Sequence, residues 1–212
     1  MTPPPRWLLA LHSSSAELGV GVRRLDGAGP DRIASFPLGR DLSNQLLSCV
    51  EQVLPAAHWP ELGRLAVATG PGGFTGTRLS VVMARTLAQQ LQLPLDGVGS
   101  FLLVARRLGL SQPIWLVQEL PRRGLVAGLY GPGAGSSGRQ GGAVVELQAP
   151  RLHADEASLA AIHPAARHPA TVQVAADVAE LLAIAQQAHQ GGQPAPWQPV
   201  LPLYPTSPVG VG

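Results

Sequence analysis

The chain has 212 residues, 45% of them hydrophobic, which is enough to bury a core in one large domain or two small lobes. All fifteen basic residues are arginines, which excludes lysine-dependent chemistry such as a Schiff base, a pyridoxal phosphate site or a P-loop lysine. The net charge of +2 is small and the arginines occur singly or as the pairs 23–24, 106–107 and 122–123, so no basic stripe suits unaided nucleic-acid binding.

From the N-terminus, Met1 to Arg6 has no apolar stretch behind a cationic start, and no later run approaches about eighteen apolar residues. Neither export nor membrane spanning is expected, and the expected location is cytoplasmic. Trp7 to Ser14 is an apolar run of strand length, and Leu18, Val20 and Val22 alternate with small residues, which predicts a hairpin. A weaker strand covers Arg32 to Leu38. Asp41 and Ser43 offer N-cap oxygens to a helix with Leu42, Leu46, Leu47, Val50, Val53 and Leu54 on one apolar face, ended by Pro55. Cys49 on that helix reads as a buried structural thiol; as the single cysteine it can form no internal disulfide. Arg64 to Thr69 predicts a buried strand, Gly70 to Gly76 a glycine-rich turn, and Thr77 to Gln92 a helix stopped by Pro94. A helix over Ser100 to Leu108 and a linker at 109–112 follow.

The second half repeats the order. Strands are expected near Pro113 to Glu119, Gly124 to Tyr130 and Ala143 to Leu147, a helix near Asp155 to Ile162, a strand at Thr171 to Ala175 and a helix from Asp177 to His189. Gly131 to Gly142 reads as a flexible hairpin loop. Two β-β-β-α-β-α units predict a two-lobed α/β architecture of the actin kind with a reduced second lobe. The expected division is 1–108, 109–190 and a proline-rich tail, 191–212, in which Pro199 to Tyr204 is apolar enough to lie against the body.

Ala66 to Arg78 is the most informative segment. A strand turning through glycines into a helix N-terminus offers free N–H groups and a positive dipole end, and Ser13, Ser14 and Gly70 are the candidate anion or nucleotide contacts. A tight strand-to-helix turn explains the same glycines, and Gly70, Gly72 and Gly76 miss the dinucleotide-binding spacing by one residue. In the following helix, Leu79, Met83, Leu87 and Leu91 form an apolar row, and Ser80, Ala84 and Ala88 form a small-residue row beside it. The small row suits a close helix–helix contact, either within the chain or between chains.

Leu65 to Phe101 (LAVATGPGGFTGTRLSVVMARTLAQQLQLPLDGVGSF) resembles the signature of the TsaB/YeaZ family within the glycoprotease-like superfamily. Leu8 to Ser15 resembles its first strand and phosphate-1-like turn, Gly39 to Ser43 its pre-helix motif, and Pro202 to Pro205 its C-terminal tyrosine motif. The resemblance implies an actin-like (ASKHA/RNase H-like) fold. It also implies a non-catalytic dimerisation subunit that binds the catalytic threonylcarbamoyl transferase paralogue and an accessory ATPase, supporting modification of adenosine 37 in tRNA. By the same resemblance the pairing surface comprises Gly72, Phe74, Thr75, Gly76, Arg78, Ser80, Val81, Ala84 and Ala88. ATP and a metal are expected in the partner subunits and not on this chain, and tRNA is met only through the complex. A face built for a paralogue can also accept its own copy, so homodimerisation is a side state.

Catalytic members of the superfamily hold a metal with a His-x-x-x-His pair in the helix following the region that matches Val98 to Ala105, and that helix has no histidine here. His153, His163 and His168 are scattered through a proline-interrupted segment. Actin-like ATPases place an acidic residue after the first strand to hold magnesium through water, and the TsaB family commonly keeps an aspartate there. His12 occupies that position, and a neutral imidazole is a poor magnesium ligand. Weak or absent ATPase activity is expected in isolation. A small actin-like nucleotide hydrolase or peptidase acting alone is the alternative, and it would need a magnesium carboxylate that the sequence does not supply. Ser13 to Ser15 lack the glycine elbow of a serine hydrolase.

Overall fold

The structure is a computed structural model and describes residues 4–133 and 144–205. In chain order its elements are β1 (Trp7–His12), β2 (Leu18–Arg24), β3 (Arg32–Phe36), α1 (Leu42–Val53), β4 (Leu62–Ala68), α2 (Phe74–Leu91), β5 (Leu95–Val98) and α3 (Ser100–Leu108). There follow β6 (Ile114–Leu120), β7 (Gly124–Pro132), β8 (Val144–His153), α4 (Glu156–Ile162), β9 (Ala166–Pro169) and α5 (Val174–Gln190). One sheet has the order β3-β2-β1-β4-β5 and the other β8-β7-β6-β9. In each, the first strand pairs antiparallel with its hairpin partner and parallel with a strand that returns through a helix: β1 with β4, and β6 with β9. The expected β-β-β-α-β-α unit therefore occurs twice, and the first sheet gains β5, a short strand parallel to β4 that was not expected.

The helices do not follow the chain order of the sheets. Phe101, Val104 and Ala105 of α3 pack with Leu116, Val126 and Tyr130 of the second sheet, whereas α5 packs against β1, β2 and β4 of the first. The compact units are accordingly Met1–Ser100 with Gln173–Leu203, and Phe101–Val172 with Tyr204–Gly212. This differs from the expected division at 108 and 190, because an apolar helix face does not say which sheet it will cover.

The first unit is layered by the period-two alternation of its strands. Leu9, Leu11, Val20, Val22, Leu65 and Val67 join Leu46, Val50, Val81, Ala84 and Ala88 of α1 and α2 in one core. On the opposite face, Gly19 and Gly21 lie under α5. A Cβ at either would stand 2.4 Å from a methyl of Val174 or Val178, so the Gly-Val-Gly-Val alternation of β2 is a helix seat on one side and core on the other. In α1 the cap geometry differs from expectation: Asp41 is the N-cap but makes no side-chain cap bond, following a 3-10 turn at Gly39–Asp41. Leu47 is exposed, off the buried Leu42, Leu46, Cys49, Val50, Val53 stripe. Cys49 is buried, and that burial pushes its thiol pKa up, as suits a structural residue.

In the second unit, β8 runs on to His153, beyond the expected end at Leu147. The strand beside β6 is Ala166–Pro169, not 171–175. All four of its residues are exposed and carry no apolar alternation, whereas Thr171, Val172 and Val174 imitate a strand through β-branching. The loop expected at 131–142 falls, from residue 134, outside the described residues, as does the tail after 205.

The described tail lies along the first unit. Leu95 N–H donates to Ala195 O at 2.8 Å and Leu203 N–H to Thr69 O at 2.7 Å. Val200 is buried in the core, and the Arg85 guanidinium donates to the Gln198 and Val200 carbonyls while lying 5.4 Å from the Trp197 ring centre. Arg64, 2% exposed, binds Asp96 in a fork at 2.6 and 2.9 Å and donates to Gln193 O at 3.2 Å, joining β4, β5 and the tail. Removing one partner of a buried pair strands the other charge. Asp96→Ala is expected to lower unfolding free energy by about 3 kcal/mol, and Asp96→Val with Arg64→Met by much less, both read from urea denaturation.

Candidate functional site

The glycine-rich turn sits directly on the chain segment that leaves β1. Gly73 N–H donates to Ser14 O at 2.7 Å, and a Cβ at Gly72 would stand 2.2 Å from that same oxygen. A Cβ at Gly76 would stand 2.4 Å from Ser13 O. The glycines are required by backbone-to-backbone contact.

A buried hydroxyl network locks this contact. Ser13 Oγ donates to Gly76 O at 2.7 Å, so Ser80 must supply the proton in the 2.6 Å contact between Ser13 Oγ and Ser80 Oγ. Ser14 Oγ lies 2.7 Å from Ser100 Oγ and accepts from Thr77 Oγ1 at 3.3 Å. Ser100 Oγ accepts from Gly70 N–H at 3.2 Å, while Ser100 N–H donates to Gly70 O at 2.7 Å. Ser13, Ser80 and Ser100 are fully buried and Ser14 and Thr77 nearly so. The expected anion contacts Ser13, Ser14 and Gly70 are therefore turned inward and satisfied by the chain itself. Ser100 and Thr77 were not anticipated. A hydroxyl at a helix start gives no sequence signal of a partner 86 residues away.

His12 ends β1 on the face that meets α5. Its Nδ1 accepts the Ser14 backbone N–H at 3.3 Å, so the proton of the neutral ring is on Nε2. Nε2 has no hydrogen-bond partner and lies 3.9 Å from Asp177 Oδ2, with both side chains fully buried. Desolvation lowers the His12 pKa to about 4, leaving the ring neutral near pH 7. Asp177 Oδ2 accepts the Gln173 N–H at 2.8 Å and closes the first turn of α5. Asp177 was also missed, although an acidic residue in an otherwise apolar helix start was the available signal. Among the described residues no group of three His, Cys, Asp or Glu could hold a metal ion, and no helix is long and apolar enough to cross a membrane.

α2 begins at Phe74, within the motif, and presents two faces. Thr77, Ser80, Val81, Ala84 and Ala88 are buried against the chain's own core. This corrects the expected partner surface: Ser80, Val81, Ala84 and Ala88 serve the internal alternative, because the small row allows α2 to settle closely on the sheet and α1. Phe74, Thr75, Arg78 and Val82 form the exposed side, with Phe74 at 42% and Val82 at 53% exposure, beside the partly exposed Gly72 and Gly76. Val82 was not anticipated, since one valine at the next helical turn from Arg78 is unremarkable until its neighbours are seen to face inward.

A family model described as TsaD: tRNA N6-adenosine threonylcarbamoyltransferase matches residues 37–119. The chain is 32% identical over 130 residues to the tRNA threonylcarbamoyladenosine biosynthesis protein TsaB of Bacillus subtilis (strain 168), covering 58% of this chain. The matched region spans 54% of that relative, about half its length. Among solved structures, YeaZ from Pseudomonas aeruginosa superposes with a TM-score of 0.67 at 20% identity, covering 94% of this chain and 99% of that one. A second, described as an uncharacterized protein with similarity to peptidase YeaZ from Pseudomonas aeruginosa, gives 0.71 at 20% identity, covering 95% and 100%. These structures share the chain's actin-like α/β fold.

The buried His12 couples stability to pH. As pH falls, the unfolded imidazole takes up its proton near its ordinary value of 6.5, while the folded one does so only near 4. Stability is thus lost as pH drops from about 6.5 to about 4, with no further loss from this group below that, amounting to about 3 kcal/mol. Urea unfolding of His12→Asn and wild type at pH 7 and pH 4.5 should show the variant losing about 2 kcal/mol less between the two.

Proposed function

We propose that this chain belongs to the TsaB/YeaZ family and acts in tRNA threonylcarbamoyladenosine biosynthesis as a non-catalytic subunit that docks on and supports the catalytic threonylcarbamoyl transferase subunit. The observation that carries the reading is the outward side of α2. Phe74 and Val82 expose apolar surface on a helix whose opposite side is fixed to its own sheet, with Thr75 and Arg78 between them. A helix held rigidly from behind can present such a side without the ordering cost of a loop. Covering Phe74 and Val82 on association would remove apolar area from water, and Arg78 supplies a directional charge at the rim.

The chemistry at the end of β1 supports an accessory role. A fully buried, neutral imidazole stands where an actin-like ATPase uses a carboxylate, and the neighbouring serines are closed into an internal network. On this reading ATP and the metal belong to the partner subunits, including an accessory ATPase, and tRNA is bound by the assembly. The subunit would work in the cytoplasm, where tRNA is modified. Homodimerisation through the same α2 side is a competing state, since an apolar side that accepts a related helix can accept its own copy.

Sedimentation velocity of the purified chain mixed with the catalytic subunit from the same organism tests this reading. Wild type is expected to form a one-to-one complex, and Val82→Arg to bind at least tenfold more weakly while retaining its helical circular dichroism. Ala84→Arg is the contrasting variant: Ala84 is 1% exposed, so a buried arginine should unfold the chain. No complex with wild type would refute the scaffold role; undiminished binding by Val82→Arg would refute the assigned surface.

A further inference from the structure

The second unit contains a cavity of about 310 Å³, remote in sequence from the glycine-rich turn and unused by the reading above. Ala157 and Ala160 of α4 and Ala165 before β9 form its walls, with Leu159 and Trp115 beneath them. Trp115 is 1% exposed, and its Nε1–H donates to His163 O at 3.0 Å. Its ring also meets His153 edge-on, with centroids 6.0 Å apart. The indole is thus held in place with its one polar atom satisfied, behind a lining whose accessible apolar surface is that of Ala157, Ala160 and Ala165. The lining carries two charges, Glu156 and Arg167, which form an ion pair with both side chains substantially exposed.

We propose that this cavity binds a free α-amino acid with an aliphatic side chain. The charges select the head group. A ligand with a single charge would take one of Glu156 and Arg167 and leave the other without its partner. A zwitterion replaces both halves of the pair together, its carboxylate on the planar fork of Arg167 and its ammonium on Glu156. The alanine walls select the remainder: they offer space and apolar contact but no hydrogen-bonding group, which fits a valine- or leucine-like side chain. The volume is at the low end for ligand pockets, and one arginine facing a carboxylate is a poor site for a phosphate dianion, so nucleotides and phosphosugars fit neither the size nor the charge.

The test is a titration of the full-length ¹⁵N-labelled chain with L-leucine, L-valine and L-isoleucine, following the Trp115 indole N–H and the Ala157 and Ala160 amides. Saturable, single-site shifts are expected at these three positions. N-acetyl-leucine, which lacks the ammonium, and leucinamide, which lacks the carboxylate, should each bind at least tenfold more weakly. Arg167→Gln should lose the response. Ala160→Phe, which fills the cavity from an exposed helix position, should lose it with an unchanged melting temperature, so that the result does not depend on the arginine variant alone. Absence of a saturable shift with all three amino acids would overturn the proposal. So would equal binding of either single-charge analogue, or full binding by Ala160→Phe.

Discussion

The first unit depends on a contact between two turns. The chain leaving β1 and the chain entering α2 approach until their backbones touch, and only hydrogen atoms fit at Gly72 and Gly76. Such closeness excludes water from the groups around it, so each buried hydroxyl needs a partner from the protein; an unsatisfied one costs about 1–3 kcal/mol. Ser13, Ser14, Thr77, Ser80 and Ser100 meet that need among themselves and with the Gly70 and Gly76 backbone. The end of β1, the first turns of α2 and the first residue of α3 are thereby fixed as one body.

That fixation governs what α2 can show. With Ser80, Ala84 and Ala88 committed to the core, the orientation of the helix is decided, and Phe74, Arg78 and Val82 face outward as a consequence. The tail reinforces the arrangement through Arg85, whose guanidinium holds two tail carbonyls and stacks near Trp197. His12 belongs to the same body. Its ring accepts from Ser14 on one side and faces Asp177 on the other, and burial keeps it neutral.

The two units are similar in topology but unequal in their supports. The two sheets share one four-strand arrangement, to which the first adds β5, yet α5 follows the second sheet in the chain and covers the first, while α3 follows the first and covers the second. Gly19 and Gly21 record that choice, because β2 has no side chains where α5 lies. The second sheet keeps α3, the short α4 and the edge strand β9, whose side chains are exposed.

Most of the order of elements, their duplication, the absence of lysine and the tight strand-to-helix turn within Ala66 to Arg78 were legible in the sequence, whereas the short strand β5 (Leu95–Val98) was not. They rest on local periodicity, composition and short motifs, which each stretch of chain carries by itself. Even there, Ala166–Pro169 escaped because an exposed edge strand needs no apolar alternation. Tertiary structure alone decided which sheet each helix covers, which side of α2 faces out, and that Ser13, Ser14 and Gly70 are buried and hydrogen-bonded within the chain. The physical reason is the same in each case. A small residue row, a run of serines or a glycine pair is equally suited to an internal and an external contact, and the choice is made only when residues distant in the chain compete for the same surface.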